Sequence, residues 1–454
     1  MKRKIICLIT AVLMCAALLP AAALAADADY SYDATVTGGS IGIDTATGTV
    51  ASADGTVTSV IIPEAIEGYD CTVTAIGAFA FSGCESLKSV TMPDTVTTIG
   101  YGAFSGCRAL ESIHIPAGVT TIEDSVFGDC SSLKAITLDP ANEDFYIQDG
   151  ALIRKSDNTL VAFPAAMETD VFTVPAGVRV IGTYAFSYNS GLRSVIIPDT
   201  VTGIGFGAFM GCKNLESVVI SGSVKRIEEQ AFGACPKLSS VTLSEGIEVI
   251  GTLAFYECKS LSAIVIPESV TEIENHCFTG CESLKHINIP KNVTQIGFET
   301  FAGCESLEWV SIPAKVDYIG GTAFDRCTSL SRIYYEGSRG QWNDIMVDWG
   351  NERLQDVRII YNSSAPRNGP DTITDETTGE SVSYSCSGST ISLTGDISSA
   401  APVYVAVYDE NGKMTDVSVI NTPKTVTFSG VSAQIIWADA LSCLPKAESV
   451  NIDF

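Results

Sequence analysis

The chain has 454 residues, 46% of them hydrophobic, and carries 27 Lys plus Arg against 53 Asp plus Glu, a formal net charge of -26. So long a chain exceeds one compact domain of usual size, and several domains or an extended array is expected. The acidity excludes electrostatic binding to nucleic acid or to an anionic membrane, because both need a basic footprint.

The chain opens with "MKRK", an apolar run from Ile5 to Leu19, and "ALA" at 23–25. This is the pattern of a secretory signal peptide cut after Ala25. The apolar run is short for a bilayer anchor. Met14 before Cys15 and Ile6 before Cys7 disfavour a lipoprotein signal. No later stretch is long and apolar enough to span a bilayer, so the product is expected outside a bacterial cell, secreted or surface-associated. Residues 26–56, rich in Thr, Gly and Ala, are expected to form a small N-terminal β cap.

Repetition then dominates. Cys84, Cys107 and Cys130 stand 23 residues apart, as do Cys212, Cys235, Cys258, Cys281, Cys304 and Cys327. Phe81, Phe104 and Phe127, then Phe186, Phe209, Phe232, Phe255, Phe278, Phe301 and Phe324, keep the same step. Each unit reads V-T-x-I-G-x-x-A-F-x-x-C-x-x-L-x-x-V-x-I-P. In "LKSVTMP" the alternation of Val90, Thr91 and Met92 predicts a strand buried on one face, ended by Pro93. "VTTIG" predicts a second short strand, and "YGAF" a tight, 3₁₀-like corner that sends Phe104 inward. One unit is too small to bury its own apolar face, so stacked coils must form a parallel sheet.

This unit resembles the BspA-type leucine-rich repeat of exported bacterial proteins, over roughly residues 57–361. The resemblance implies a right-handed leucine-rich-repeat solenoid with a parallel, concave β face, and adhesion to host or neighbouring-cell surfaces. Between Cys130 and Asn189 the step lengthens, and "FYIQDGALIRKSDNTLVAFP" (145–164) predicts a protruding hairpin insert over about 141–165.

The Cys column has Asn189 in one coil and Ala166 in another. Asn for Cys suits a structural turn position that satisfies buried backbone groups. It suits neither metal ligation, which needs converging ligands, nor disulfides. His276-Cys277 beside Cys281 reads as packing, since Cys277 takes the place of the Ala before Phe. Cys71 lies in the first unit, and Cys386 and Cys443 form a candidate disulfide. Only His114, His276 and His286 are available as histidines, in separate coils, and no nucleophile, zinc or nucleotide motif occurs. We therefore expect no catalysis, cofactor or metal; dispersed carboxylates leave a carbohydrate-active enzyme as a remote alternative.

Function then falls to the outward strand positions. One column runs Thr91, His114, Thr137, Thr173, Ile196, Val219, Thr242, Val265, Asn288, Ser311, Tyr334, and its neighbour Ser89, Ser112, Ala135, Val171, Ser194, Ser217, Ser240, Ala263, His286, Trp309, Arg332. Two candidates stand out for partner binding. Ile196, Val219 and Val265 would make an apolar stripe. His286, Asn288, Trp309, Arg332 and Tyr334 would make an aromatic-basic cluster of the residue types favoured in hot spots. The expected role is binding of a protein or glycan on a host or neighbouring cell, with a wall or matrix spacer as the alternative.

The array should end in a cap at 334–361, where Trp342, Ile345, Trp349 and Leu354 close the last coil. Residues 362–383 read as a polar linker. Residues 384–454 read as a small sandwich-like β module with a hairpin around Asn411-Gly412, similar to modules that attach or space exported proteins.

Overall fold

Alternation along "LKSVTMP" is realised as the strand Ser89–Thr91, with Val90 buried and its two neighbours exposed. Leu87 and Met92 join Val90 in the core. The computed structural model describes residues 30–32 and 35–362. Beyond these it describes the strands Thr372–Thr374, Ser381–Ser387, Thr390–Gly395, Val403–Tyr408, Met414–Ile420, Lys424–Thr427, Ser432–Trp437 and Val450–Asp453. The signal segment 1–25, most of the linker and Cys443 lie outside the described residues.

The fold is a parallel β-solenoid. It divides into two units, Met1–Met167 with Gly182–Asn189, and Glu168–Ile181 with Ser190–Phe454. In the first unit, Ser112–Ile115 pairs in parallel with Ala135–Leu138, each residue facing the one 23 positions on. On the other side of the coil Ala75–Ile76, Thr98–Ile99 and Thr121–Ile122 form a second parallel ladder. The second unit repeats the scheme through Thr169–Thr173, Leu192–Ile197, Ser217–Ile220 and Ser240–Leu243. It does so again through His286–Asn288, Trp309–Ile312, Arg332–Tyr335 and Arg358–Tyr361.

Between the ladders runs a stack of phenylalanines. Phe209, Phe232, Phe255, Phe278, Phe301 and Phe324 lie face to face at 5.0–5.8 Å, all fully buried. Phe81, Phe104 and Phe127 stack likewise in the first unit, at 5.2 and 5.9 Å. A 23-residue translation places identical rings over one another, so one residue choice, repeated, builds a continuous core.

The corner is not a regular 3₁₀ turn. Its i→i+3 bonds exist, for example Ser105 N–H to the Gly102 carbonyl at 2.9 Å. Two residues per coil, however, are left-handed. The first position holds Gly102 and Gly207 but also Phe79, Tyr184, Leu253 and Thr322; the second holds Gly83, Gly106 and Gly211 but also Asp129, Ala234 and Arg326. This alternation turns every second N–H toward the next coil, as from Gly102, Phe104 and Gly106 to Asp124, Val126 and Gly128. At Gly83 (φ 73°) a Cβ would meet nothing within 4 Å. Gly83→Ala should therefore report backbone strain alone and cost about 1 kcal/mol, read as a lowered urea midpoint.

At the N-terminus Tyr30–Tyr32, Ile41–Asp44 and Thr49–Ala53 form an antiparallel meander. Its last strand pairs in parallel with Ala75–Ile76 and so seeds the ladder.

The insert does not protrude as a hairpin. It is a three-stranded antiparallel meander, Phe145–Gln148, Ala151–Arg154 and Thr159–Ala162, and all four residues of the last strand are buried. Leu152, Ile153 and Leu160 have no exposed surface, and Gly182 N–H donates to the Leu160 carbonyl at 2.9 Å. The apolar runs that suggested strands have two faces to bury, which a protruding hairpin could not do.

The last coil is closed differently from the expectation. Ile345 and Leu354 are buried and Trp342 meets Tyr335 edge-on at 5.2 Å. Trp349 instead is 64% exposed, lying over Phe298 and in the space that Gly321 leaves open. The helix Arg339–Asp344 is held by a Ser338/Gln341 capping box. Among the described residues, the C-terminal strands form two four-stranded antiparallel sheets, the first including Thr372–Thr374 from the stretch read as linker. Val403–Tyr408 pairs antiparallel with Met414–Ile420, and Asn411-Gly412 lies outside the described residues.

Candidate interaction surface on the β face

Parallel register carries His286 next to Trp309, Trp309 next to Arg332, and Ser311 next to Tyr334. His286 and Trp309 stack nearly in parallel, centroids 4.8 Å apart at 10°. Tyr334 meets the indole edge-on at 5.6 Å and 87°. His286, Trp309 and Tyr334 are half-buried, while Asn288 and Arg332 are exposed. Val310 and Ile333 lie in the core beneath them.

Arg358 was not among the sequence candidates, yet register places it beside Arg332, and it is exposed. Its step from Arg332 is 26 residues, which hides it from a 23-residue count. The similarity of "RIYY" at 332–335 to "RIIY" at 358–361 is the signal that could have found it.

The apolar stripe is broken. Ile196 and Val219 are register neighbours and half-buried, but next in line is Thr242, 4% exposed. Val265, 41% exposed, lies in a coil with no assigned strand there. The outward columns are also less exposed than alternation predicts, since Ser194, Ser217 and Ser311 are buried. Short hydroxyls beside taller side chains are shaded from water: Ser194 and Ser217 bond each other at 2.7 Å, and Ser311 sits two residues from Trp309.

The cysteine column is a hydrogen-bond ladder. The thiols of Cys107, Cys130, Cys235, Cys258, Cys281, Cys304 and Cys327 each donate to the Phe carbonyl 26 residues back, at 3.1–3.3 Å. Asn189 makes the same kind of bond to the Pro164 carbonyl at 3.0 Å. Cys84, in the first coil, reaches only the Asp54 carbonyl at 3.6 Å; Cys212 is fully buried. Burial pushes the Cys130 thiol up to about 12 and also raises Cys107, Cys258, Cys281, Cys304 and Cys327, so these six thiols are protonated donors and poor nucleophiles. Cys277 is buried in the core. Among the described residues no group of His, Cys, Asp or Glu is arranged to hold a metal, and no helix is long and apolar enough to cross a membrane.

In the first unit a shallow recess of about 580 Å³ opens between Tyr101, Thr120, Glu123, Asp124, Arg154 and Ser156, beside the insert. Arg154 there is committed to Asp157 and to the Ile122 carbonyl.

The BspA-type leucine-rich repeat region matches residues 56–166, 160–284 and 249–345, in 6 copies. The chain belongs to this family. Among solved structures, this BspA-type array is similar to a leucine rich cell surface protein from Faecalibacterium prausnitzii, at 36% identity over 64% of this chain and 63% of that one, with a TM-score of 0.40. The chain thus spans less than two thirds of that relative. A leucine-rich repeat protein from Eubacterium ventriosum shares 22% identity over 65% and 94% of the two chains, TM-score 0.49. The pneumococcal vaccine antigen PcpA shares 21% over 67% of each, TM-score 0.44. No curated protein matches the chain.

Proposed function

We propose that this BspA-type protein is a secreted or surface-associated, non-enzymatic interaction protein that holds an extracellular protein or glycan against the C-terminal part of its β face. One observation carries the reading: His286, Trp309 and Tyr334 form a contiguous ring cluster on an otherwise small, hydroxylated face, with arginine alongside. Aromatic and arginine side chains fixed by their neighbours lose little entropy on binding, which is why such groups dominate hot spots. Surface placement is supported by the similarity to the Faecalibacterium cell surface protein.

The test is a surface-capture screen of the full chain against extracellular-matrix proteins and an immobilised glycan array. Trp309→Ala/Tyr334→Ala should weaken the captured interaction by about 10-fold or more, with the melting temperature followed as a control for folding. An array that is only a spacer would show no such loss.

A further inference from the structure

Parallel register sets four side chains in one row, His286, Trp309, Arg332 and Arg358, on strands about 4.8 Å apart. His286 takes one face of the indole, and Arg332 is the indole's register neighbour on the other side. A ring held this way shows solvent its edge, where the quadrupole is positive, rather than its face. The row therefore does not offer the open aromatic platform on which a neutral sugar stacks. It presents ring edges and two guanidinium groups, all favourable to negative charge.

Among the described residues, the two arginines are adjacent in register and free of carboxylate partners on a chain rich in carboxylates. Acidic residues outnumber basic ones 53 to 27, and half of the described arginines, Arg108, Arg154, Arg193, Arg226 and Arg326, sit within 4 Å of a carboxylate. Among the described residues Arg332 and Arg358 have no ion pair. The positions flanking the row, Lys285, Glu308 and Ser331, add no net charge. An unpaired, exposed pair of arginines on an acidic protein is a place where an anion gains the most.

From this we infer that the row His286–Trp309–Arg332–Arg358 binds an acidic polysaccharide, its carboxylate or sulfate groups held by Arg332 and Arg358. The inference rests on the reading of this face as the partner-binding surface. A polysaccharide fits better than an acidic peptide because the row runs across the middle of paired strands, over core residues Val310 and Ile333, whereas extended peptides add to a free sheet edge and helical ones to an apolar groove. The adjacent column supplies the exposed Asn288 amide and the Tyr334 hydroxyl for sugar hydroxyls.

The experiment is biolayer interferometry of the full chain on immobilised polygalacturonate and hyaluronan (carboxylate), chondroitin sulfate (sulfate), dextran (neutral) and poly-glutamate. Binding to at least one acidic polysaccharide, weakened by salt, with none to dextran, is expected. Arg332→Gln/Arg358→Gln should lower that binding by about 10-fold or more without changing the melting temperature. Failure of all acidic polysaccharides, equal capture of poly-glutamate, or indifference to the arginine variant would each overturn the assignment. If a partner from the wider screen is released by Trp309→Ala/Tyr334→Ala but kept by the arginine variant, the face still binds and only the acidic class is lost. If neither variant matters, both readings fall.

Discussion

Phe232→Ala should destabilise the array by about 3–5 kcal/mol, among the largest effects of any single core truncation here. Phe232 is fully buried, with Phe209 5.0 Å away on one side and Phe255 5.7 Å on the other. Neither neighbour can move into the void, because each is stacked in turn on a further ring or held by its own coil's corner bonds. The loss should therefore include both the transfer and the cavity contribution. Because each coil contacts chiefly its neighbours, the damage should be local. Limited proteolysis ought to cut near residue 232 in the variant, and urea unfolding monitored by circular dichroism should shift to a lower midpoint or split in two. Unchanged protease resistance and an unchanged midpoint would contradict the picture of a stack whose members depend on both neighbours.

The second large effect is expected at Asn142, where the insert begins. Its amide nitrogen donates to the Val119 carbonyl at 2.8 Å and to the Pro116 carbonyl at 3.1 Å. Its amide oxygen accepts from the N–H groups of Phe145 and Asp144, at 2.9 and 3.1 Å. The side chain is 5% exposed, so truncation strands several backbone groups away from water. Asn142→Ala should cost about 2–4 kcal/mol. Asn142→Asp is the informative companion, because it keeps the acceptor and loses the two donated bonds. Hydrogen exchange at Phe145 should quicken in the alanine variant before the rest of the chain is affected. Equal exchange rates would remove Asn142 as the residue that anchors the insert.

How legible this was in the sequence varies by residue. The ladder of Cys107, Cys130 and their equivalents, and the ring stack, were readable because each repeats at a fixed step and each coil meets a copy of itself. Asn189 in the Cys column was the decisive substitution, since one donor replaces another there. Asn142 carries no periodic signal and was not distinguished, although its four bonds hold the entry to the insert. Arg358 was hidden by a change of step from 23 to 26. Trp349 was misplaced because in the cap no copy of the coil follows to cover it. The clustering of His286, Trp309 and Tyr334 follows from register alone, but the stacking of the first two and the edge-on third could not be read from spacing.

The sequence by itself determined the parallel β-solenoid, the inward and outward sides of each coil, and the identity of the core columns. Those properties follow from local alternation and from translation by a constant step, which need no knowledge of distant residues. Only the tertiary structure decided that the insert is part of the core, that Ser194, Ser217 and Ser311 are shaded while Arg332 and Arg358 are bare, and that the left-handed corners accept Phe79 or Leu253 as well as glycine. Exposure depends on the height of side chains one coil away, and a strained corner persists because bonds to the adjacent coil over-determine it. Both are relations between neighbouring coils, and no single unit contains them.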